Sequence, residues 1–143
     1  MGELQGLYAA IMFKDKPLVV KKTSSLHWNL PGLVVPKEEK DRLETLTKFL
    51  DENFVLPKKN FEELLTEKDV REVQLDLLNR TNHIYFKSIN SDLFLKVRPG
   101  TSLYSGMQHM NLNKSGIYLG SMAASLNKIV NSQSSYENLL KKF

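Results

Sequence analysis

The segment from residue 36 to residue 52 constrains the fold most, because its apolar residues recur at the spacing of an amphipathic helix. Four of them predict one buried face: Leu43, Leu46, Phe49 and Leu50. Pro36 suits the first turn of such a helix, and the acidic residues that follow suit the positive end of the helix dipole. We therefore predict a helix from about Pro36 to Glu52 that buries its leucine face.

Strands are predicted on both sides of this helix, where apolar runs are bounded by turn residues. Two strands precede it, at residues 8–13 and 17–22, and the Pro31-Gly32 pair predicts a turn before a short apolar run. Four strands follow it, at residues 70–78, 83–89, 93–97 and 116–120. Turns are predicted at residues 79–82, with Asn82 and His83 in a turn and cap, and a long polar loop at residues 99–115.

Two further helices complete the predicted order of elements. Asn60, followed three residues later by Glu63, predicts a capped short helix. Ser121 is predicted to cap a helix that ends at Val130, and residues 136–143 are predicted to form a terminal helix or tail. The order predicts an α+β fold, an α/β/α sandwich in which a mixed β-sheet lies between helical layers, as a single domain over residues 1–143.

Composition narrows the class of protein. The 143 residues are 41% hydrophobic and 25% charged, include no cysteine, and carry a formal net charge of +4. These values are typical of a globular domain, and no apolar run is long enough to cross a bilayer or to form a secretory signal. We therefore expect an intracellular, by default cytoplasmic, protein that does not engage membranes. The lysines occur in scattered pairs, which favours a solvated surface over a dedicated nucleic-acid groove.

The start of the chain resembles the Nudix hydrolase family. The stretch YAAIMFKDKPLVVKK from Tyr8 resembles the opening hairpin of that family, and WNLPG from Trp28 to Gly32 resembles its usual lead-in to the signature. The stretch HIYFKSI resembles a strand further along. The resemblance covers residues 8–130 and implies a Nudix-like fold.

The family signature, GX5EX7REUXEEXGU, can be placed after Gly32 without a gap. Its first glutamate then falls on Glu39, and its paired glutamates fall on Asp51 and Glu52. The apolar positions also match. The resemblance implies that these carboxylates are the remains of a site that binds Mg²⁺ or Mn²⁺ for attack of water on a diphosphate.

The signature departs from the family at the positions that carry its chemistry. Lys48 stands in place of the central glutamate, and a protonated lysine has no lone pair for a metal ion and repels one. Thr47 replaces the signature arginine, and Leu33 and Phe54 replace the two glycines. We therefore expect a degenerate site without catalytic residues, bound metal or cofactor. A plainer interpretation is that Glu44, Lys48 and Glu52 form an exposed ion-pair ladder.

Three functional hypotheses follow. In the first, the protein binds a phosphorylated ligand (a nucleotide, a nucleotide-derived signal or an RNA end) as a sensor, sponge or regulator. Lys48 would supply positive charge, Lys22 a phosphate contact, and Trp28 a wall near the cleft, although packing is the commoner role of such a tryptophan. In the second, the protein is an interaction subunit that binds a protein partner and has a vestigial cleft. In the third, it is a divergent Mg²⁺- or Mn²⁺-dependent hydrolase that uses Glu39, Asp51 and Glu52.

The histidines and the glycines of the polar loop add no further motif. His27, His83 and His109 are too far apart in the sequence for a metal-ligand spacing. Gly100 and Gly106 match no phosphate-cradling pattern. The sequence does not determine the ligand or the oligomeric state.

Overall fold

A mixed β-sheet forms the centre of the structure, a computed structural model that describes residues 3–14, 16–90, 96–97, 103–113 and 118–132. The strands are β1 (Leu4–Phe13), β2 (Lys16–Lys22), β3 (Trp28–Asn29), β4 (Gly32–Pro36), β5 (Phe54–Val55), β6 (Arg71–Leu77), β7 (Arg80–Ile89), β8 (Lys96–Val97) and β9 (Tyr104–His109). The helices are α1 (Arg42–Asn53), α2 (Phe61–Leu65) and α3 (Ser121–Ser132). In the described parts of the chain, no helix is both long and apolar enough to span a bilayer.

Strand β1 organises the sheet. Along one edge it pairs in parallel with β7, from Gln5↔Thr81 to Phe13↔Ile89. Along its other edge it pairs first with β4, up to Tyr8↔Gly32, and then with β2, at Met12↔Pro17 and Phe13↔Lys16. Because β2 and β4 share one edge of β1 and pair with different parts of it, they diverge and leave space between them.

The alternation of side chains along β1 builds two cores, one on each face of the sheet. Leu7, Ala9 and Ile11 pack with Leu46 and Leu50 of α1 and with the apolar residues of α2. Tyr8, Ala10 and Met12 pack on the opposite face with three residues of α3: Met122, Ala123 and Leu126. The predicted α/β/α sandwich with a mixed sheet is confirmed.

Helix α1 begins six residues later than predicted. Pro36 ends β4, where it pairs with Leu4, and the helix starts at Arg42. The buried amide of Gln5 explains the delay, because its Nε2 atom donates to the carbonyl oxygens of Pro36 and Glu39 at 3.0 and 2.9 Å and so stabilises a turn there. The predicted apolar face is confirmed, since Leu46 and Leu50 are fully buried.

The second half of the chain differs more from the prediction. Tyr104–His109 form β9, paired with β2, inside the segment that was predicted to be a loop. Asn82 and His83 lie buried within β7, and the turn before it is formed by Leu78 and Asn79, both with φ of 59°. These two predictions were wrong because the pattern of polar residues in β7 and β9 resembles that of a loop.

Helix α3 is capped from elsewhere in the chain. Ser121 is the first residue of the helix, and the Oδ1 atom of Asn29 accepts the backbone N–H of Ala123 at 2.8 Å. The capping box predicted for α2 is confirmed, with Asn60 and Glu63 bonded reciprocally. The predicted tail at residues 136–143 lies outside the described residues, as does most of the strand predicted at 93–97.

Candidate functional site

Two depressions lie beside α1, and they contain different parts of the predicted site. The first, here called the α1–α2 groove, is the space between the two helices. Its lining consists of Glu44, Thr47, Lys48, Asp51, Glu52, Glu62 and Thr66. It contains the matched acidic pair of the signature and the lysine that replaces the central glutamate.

Asp51 is committed to holding α2 in place. Its Oδ1 atom accepts the backbone N–H of Phe61 at 2.7 Å, and its Oδ2 atom lies 3.4 Å from the backbone nitrogen of Glu62. The first N–H groups of a helix have no partner within the helix, so a carboxylate at this point stabilises its start. Asp51 therefore supplements the capping box at Asn60.

Lys48 is exposed in the middle of this groove. Within the described part of the chain it forms no ion pair, so the predicted ladder with Glu44 and Glu52 does not form. Four carboxylates line the groove against the single ammonium of Lys48. A phosphate placed here would meet net negative charge, which opposes its binding.

The residues at the signature positions do not fit Mg²⁺ or Mn²⁺. Glu39 lies in the turn before α1, where its Oε1 atom accepts the backbone N–H of Asp41 at 3.1 Å. Asp51 is bonded to the start of α2, and the Lys48 ammonium faces the groove that a divalent ion would need. Across the described residues, no group of three or more histidine, aspartate or glutamate side chains is placed to hold a metal ion.

The second depression, here called the β2–β4 cleft, occupies the space where those strands diverge, with a volume of about 650 Å³. Its polar lining consists of Lys22, Ser25, His27, Asn29 and Ser121. Its apolar walls include Tyr8, Leu33, Val34, Phe49, Leu103 and Tyr104. No carboxylate is among the described residues that line it, so its charge is opposite in sign to that of the groove.

Local structure positions the polar side chains of the cleft. Lys22 ends β2, and it forms no ion pair among the described residues. The Ser25 Oγ atom accepts the backbone N–H of His27 at 3.0 Å and so fixes the turn before β3. Gly120 and Ser121 bring the N-terminal end of α3 to the cleft, where its dipole favours an anion.

The cleft depends on a close approach between β4 and β1. A Cβ atom on Gly32 would lie 2.1 Å from the carbonyl oxygen of Leu7 and 2.5 Å from the ring of Tyr8. Only glycine fits at this position. Gly32 therefore has a structural role as the first residue of β4, and it is not part of a turn.

Burial, together with repulsion from the nearby Tyr8, raises the pKa of Tyr104 to about 12, so its phenol stays protonated at neutral pH.

Trp28 faces neither depression. It packs against the core on the α3 side of the sheet, and a Cβ atom on Gly106 would lie 2.8 Å from its indole ring. The structure thus separates the three predicted ligand contacts, with Lys22 in the cleft, Lys48 in the groove and Trp28 in the packing between β3 and β9. Their roles in binding stay predictions.

Sequence reasoning missed several cleft residues. His27 was considered only as a metal ligand and Ser121 only as a helix cap, and Ser25 was given no functional role. Tyr104 lies in the segment that was predicted to be a loop. The one available signal was position, since Ser25 and His27 directly precede the WNLPG stretch.

Neither a protein-family model nor a curated protein matches the sequence, but solved structures match the fold. The Nudix domain of Shewanella oneidensis NrtR, determined with ADP ribose, superposes with a TM-score of 0.60 at 14% identity, covering 94% of this chain and 90% of that one. A MutT Nudix hydrolase from Burkholderia pseudomallei gives 0.51 at 17% identity, covering 88% and 97%.

A third neighbour is larger. The bifunctional NMN adenylyltransferase/ADP ribose pyrophosphatase from Francisella tularensis gives a TM-score of 0.58 at 14% identity over 87% of this chain, which spans 36% of that protein. Together, these structures define the class. The chain is an α/β/α sandwich with the Nudix fold, which confirms the resemblance seen in the sequence. At such low identities the likeness shows the fold alone.

Proposed function

We propose that this protein binds a phosphorylated small molecule, a nucleotide or nucleotide derivative, in the β2–β4 cleft and does not hydrolyse it. The observation that carries the proposal is the separation of charge around α1. The cleft has a lysine and, among the described residues that line it, no carboxylate, whereas the groove has carboxylates of which one, Asp51, is used to hold α2. Binding of a phosphate is therefore favoured in the cleft, and metal-dependent cleavage is not favoured in the groove.

The contents of the cleft support a small ligand with both polar and apolar parts. Lys22 and the N-terminal end of α3 supply positive charge for a phosphate. Val34, Phe49 and Leu103 supply apolar walls for the remainder of the ligand. The volume is in the range of small-molecule sites, which favours a nucleotide over an RNA end. The Nudix domain of NrtR, which has the same fold, was determined with ADP ribose, so ADP-ribose is the first compound to try.

In this role, the protein would act as a sensor, a sponge or a regulator, since the ligand is released unchanged. Without a bound metal, the diphosphate is not polarised for attack by water. The binding energy then serves recognition only. Such a protein would communicate ligand binding through a partner or through its own stability.

The experiment is a titration with a panel of phosphorylated compounds that includes ADP-ribose, using two matched charge reversals. Lys22→Glu and Lys48→Glu change the same charge on exposed side chains, one in the cleft and one in the groove. We expect Lys22→Glu to weaken binding about tenfold or more and Lys48→Glu to change it less than about threefold.

The other results are equally informative. A loss confined to Lys48→Glu would move the ligand to the α1–α2 groove, as the signature alignment first suggested. No binding of any phosphorylated compound by the wild-type protein would overturn the proposal and favour an interaction subunit with a vestigial cleft.

A further inference from the structure

The mouth of the β2–β4 cleft carries two exposed aromatic rings. His27 and Tyr118 are in edge-to-face contact, with ring centroids 6.1 Å apart and an interplanar angle of 67°. Tyr118 exposes 64% of its surface, and His27, which lines the cleft, is also exposed. Rings in this arrangement attract each other weakly, because the edge of one faces the electron-rich face of the other.

Both residues are fixed by the backbone although their side chains are exposed. The backbone N–H of Trp28 donates to the carbonyl of Tyr118 at 2.8 Å, and the N–H of Gly120 donates to the carbonyl of Trp28 at 2.7 Å. His27 is fixed by Ser25, whose Oγ atom accepts its backbone N–H and lies 3.3 Å from its Nδ1 atom. The backbone beside each ring is therefore held by hydrogen bonds, to β3 for Tyr118 and to the turn before β3 for His27, which reduces the ordering that binding would require.

Exposed apolar residues are concentrated in the same region. Six large hydrophobic residues are strongly exposed among those described, and two of them, Val34 and Leu103, line the cleft. A third, Tyr118, contacts the ring of His27, which also lines the cleft. Single exposed apolar residues are ordinary, but exposed apolar side chains that line a cationic cleft offer a surface that a ligand with an apolar part would cover.

We propose that His27 and Tyr118 hold the aromatic ring of the ligand, such as a nucleobase, while Lys22 contacts its phosphate. The inference rests on the proposed function and makes it specific: the ligand class becomes nucleotide derivatives that retain a base, and sugar phosphates without a base are excluded. A base stacks on aromatic side chains largely irrespective of its identity, so recognition at this rim selects for the presence of a ring.

The test compares ADP-ribose with ribose 5-phosphate, which has a phosphate but no base, on three variants. Tyr118→Ala removes the ring, Tyr118→Phe keeps it, and Leu78→Ala removes a comparably exposed apolar side chain at the distant β6–β7 turn. Binding is measured by calorimetry and by the fluorescence of Trp28, the single tryptophan. The backbone of Trp28 is hydrogen-bonded to Tyr118 and to Gly120, the two neighbours of Leu119 in the chain. Thermal unfolding of each variant checks that the fold is kept.

We expect Tyr118→Ala to weaken ADP-ribose binding roughly 5- to 100-fold, the range that stacking on one ring supplies. Tyr118→Phe and Leu78→Ala should stay within about twofold, and any binding of ribose 5-phosphate should be unchanged in all three variants. Unchanged ADP-ribose binding in Tyr118→Ala would overturn the inference, as would an equal loss for both compounds. The proposed function would survive either result if Lys22→Glu still weakened binding, and both would fail if the wild-type protein bound no phosphorylated compound of the panel.

Discussion

The β2–β4 cleft and the α1–α2 groove are both built on α1, but they differ in charge and in the use of their polar groups. The cleft contains Phe49 from the helix and a cation, Lys22, and no carboxylate is among its described lining residues. The groove receives Lys48, Asp51 and Glu52, so its cation is outnumbered by acids. The fold needs the apolar face of α1, whereas it does not need a metal site on the polar face. The fold is therefore compatible with many different residues on the polar face of this helix.

The largest expected effect separates the buried face of α1 from its exposed face. Leu46 is fully buried, so Leu46→Ala should lower the free energy of unfolding by about 2–5 kcal/mol through lost contacts and a cavity. Lys48→Ala should change it by well under about 1 kcal/mol, since the side chain is exposed in the groove. Urea unfolding measures both. Equal losses would mean that Lys48 has a structural role that the groove geometry does not account for.

A smaller effect concerns the two acidic residues at the paired-glutamate positions. Asp51→Ala removes the acceptor for the backbone N–H groups at the start of α2 and should cost about 1–2 kcal/mol. Asp51→Asn keeps one acceptor oxygen and should recover part of that loss. The matched control, Glu52→Ala, changes an exposed residue and should stay within about 0.5 kcal/mol. A larger loss in Glu52→Ala than in Asp51→Ala would contradict the assignment of Asp51 as the cap.

Acid titration tests a neighbouring group of charges that is fully paired, in contrast to Lys48 of the groove. Glu67 accepts hydrogen bonds from Lys59 and Lys87, which lower its pKa from 4.5 to about 2. A carboxylate whose pKa is lowered in the folded protein stabilises the fold at pH values above its ordinary pKa. This stabilisation is lost as the pH falls through the lowered pKa. We expect the wild-type protein to lose stability between about pH 5 and pH 2, and Glu67→Gln to lose less over that window. Denaturation midpoints across this range give the comparison, and parallel curves would refute it.

Lys87 shows why that network persists at neutral pH. Burial by itself lowers the pKa of Lys87, but hydrogen bonds to Asp69 and Glu67 outweigh it and leave the pKa raised. The stability that Lys87 contributes is therefore complete at pH values below the ordinary pKa of a lysine, and it is lost only in strong alkali. Lys48, by contrast, has no partner among the described residues that would hold it in one position.

The smallest expected effect is that of divalent ions on the wild-type protein. Mg²⁺ or Mn²⁺ should leave its melting temperature unchanged and should not produce turnover of ADP-ribose. Lys48→Glu adds a carboxylate between Glu44 and Glu52 on one helical face, so Mg²⁺ should raise the melting temperature of that variant. Metal-dependent turnover in the wild type that disappears in Glu52→Ala would restore the hydrolase hypothesis.

The sequence by itself determined the elements whose signals are local. The spacing of Leu43, Leu46 and Leu50 predicted the buried face of α1, and Asn60 with Glu63 predicted the start of α2. These patterns are readable because the interacting residues lie three or four positions apart. The resemblance from Tyr8 to Gly32 predicted the class of fold, which the structure confirms, whereas the degenerate site predicted from the replaced glutamate stays a prediction.

Only the tertiary structure decided where these residues lie and which groups they bond to. Helix α1 begins at Arg42 because Leu4 and Gln5, more than thirty residues earlier, hold the chain at Pro36. Asp51 serves α2, and the cleft exists because β2 and β4 pair with different parts of β1. Each of these outcomes depends on a partner that is distant in the sequence. A local pattern states what a residue can bond to, but only the packed sheet brings one partner within reach.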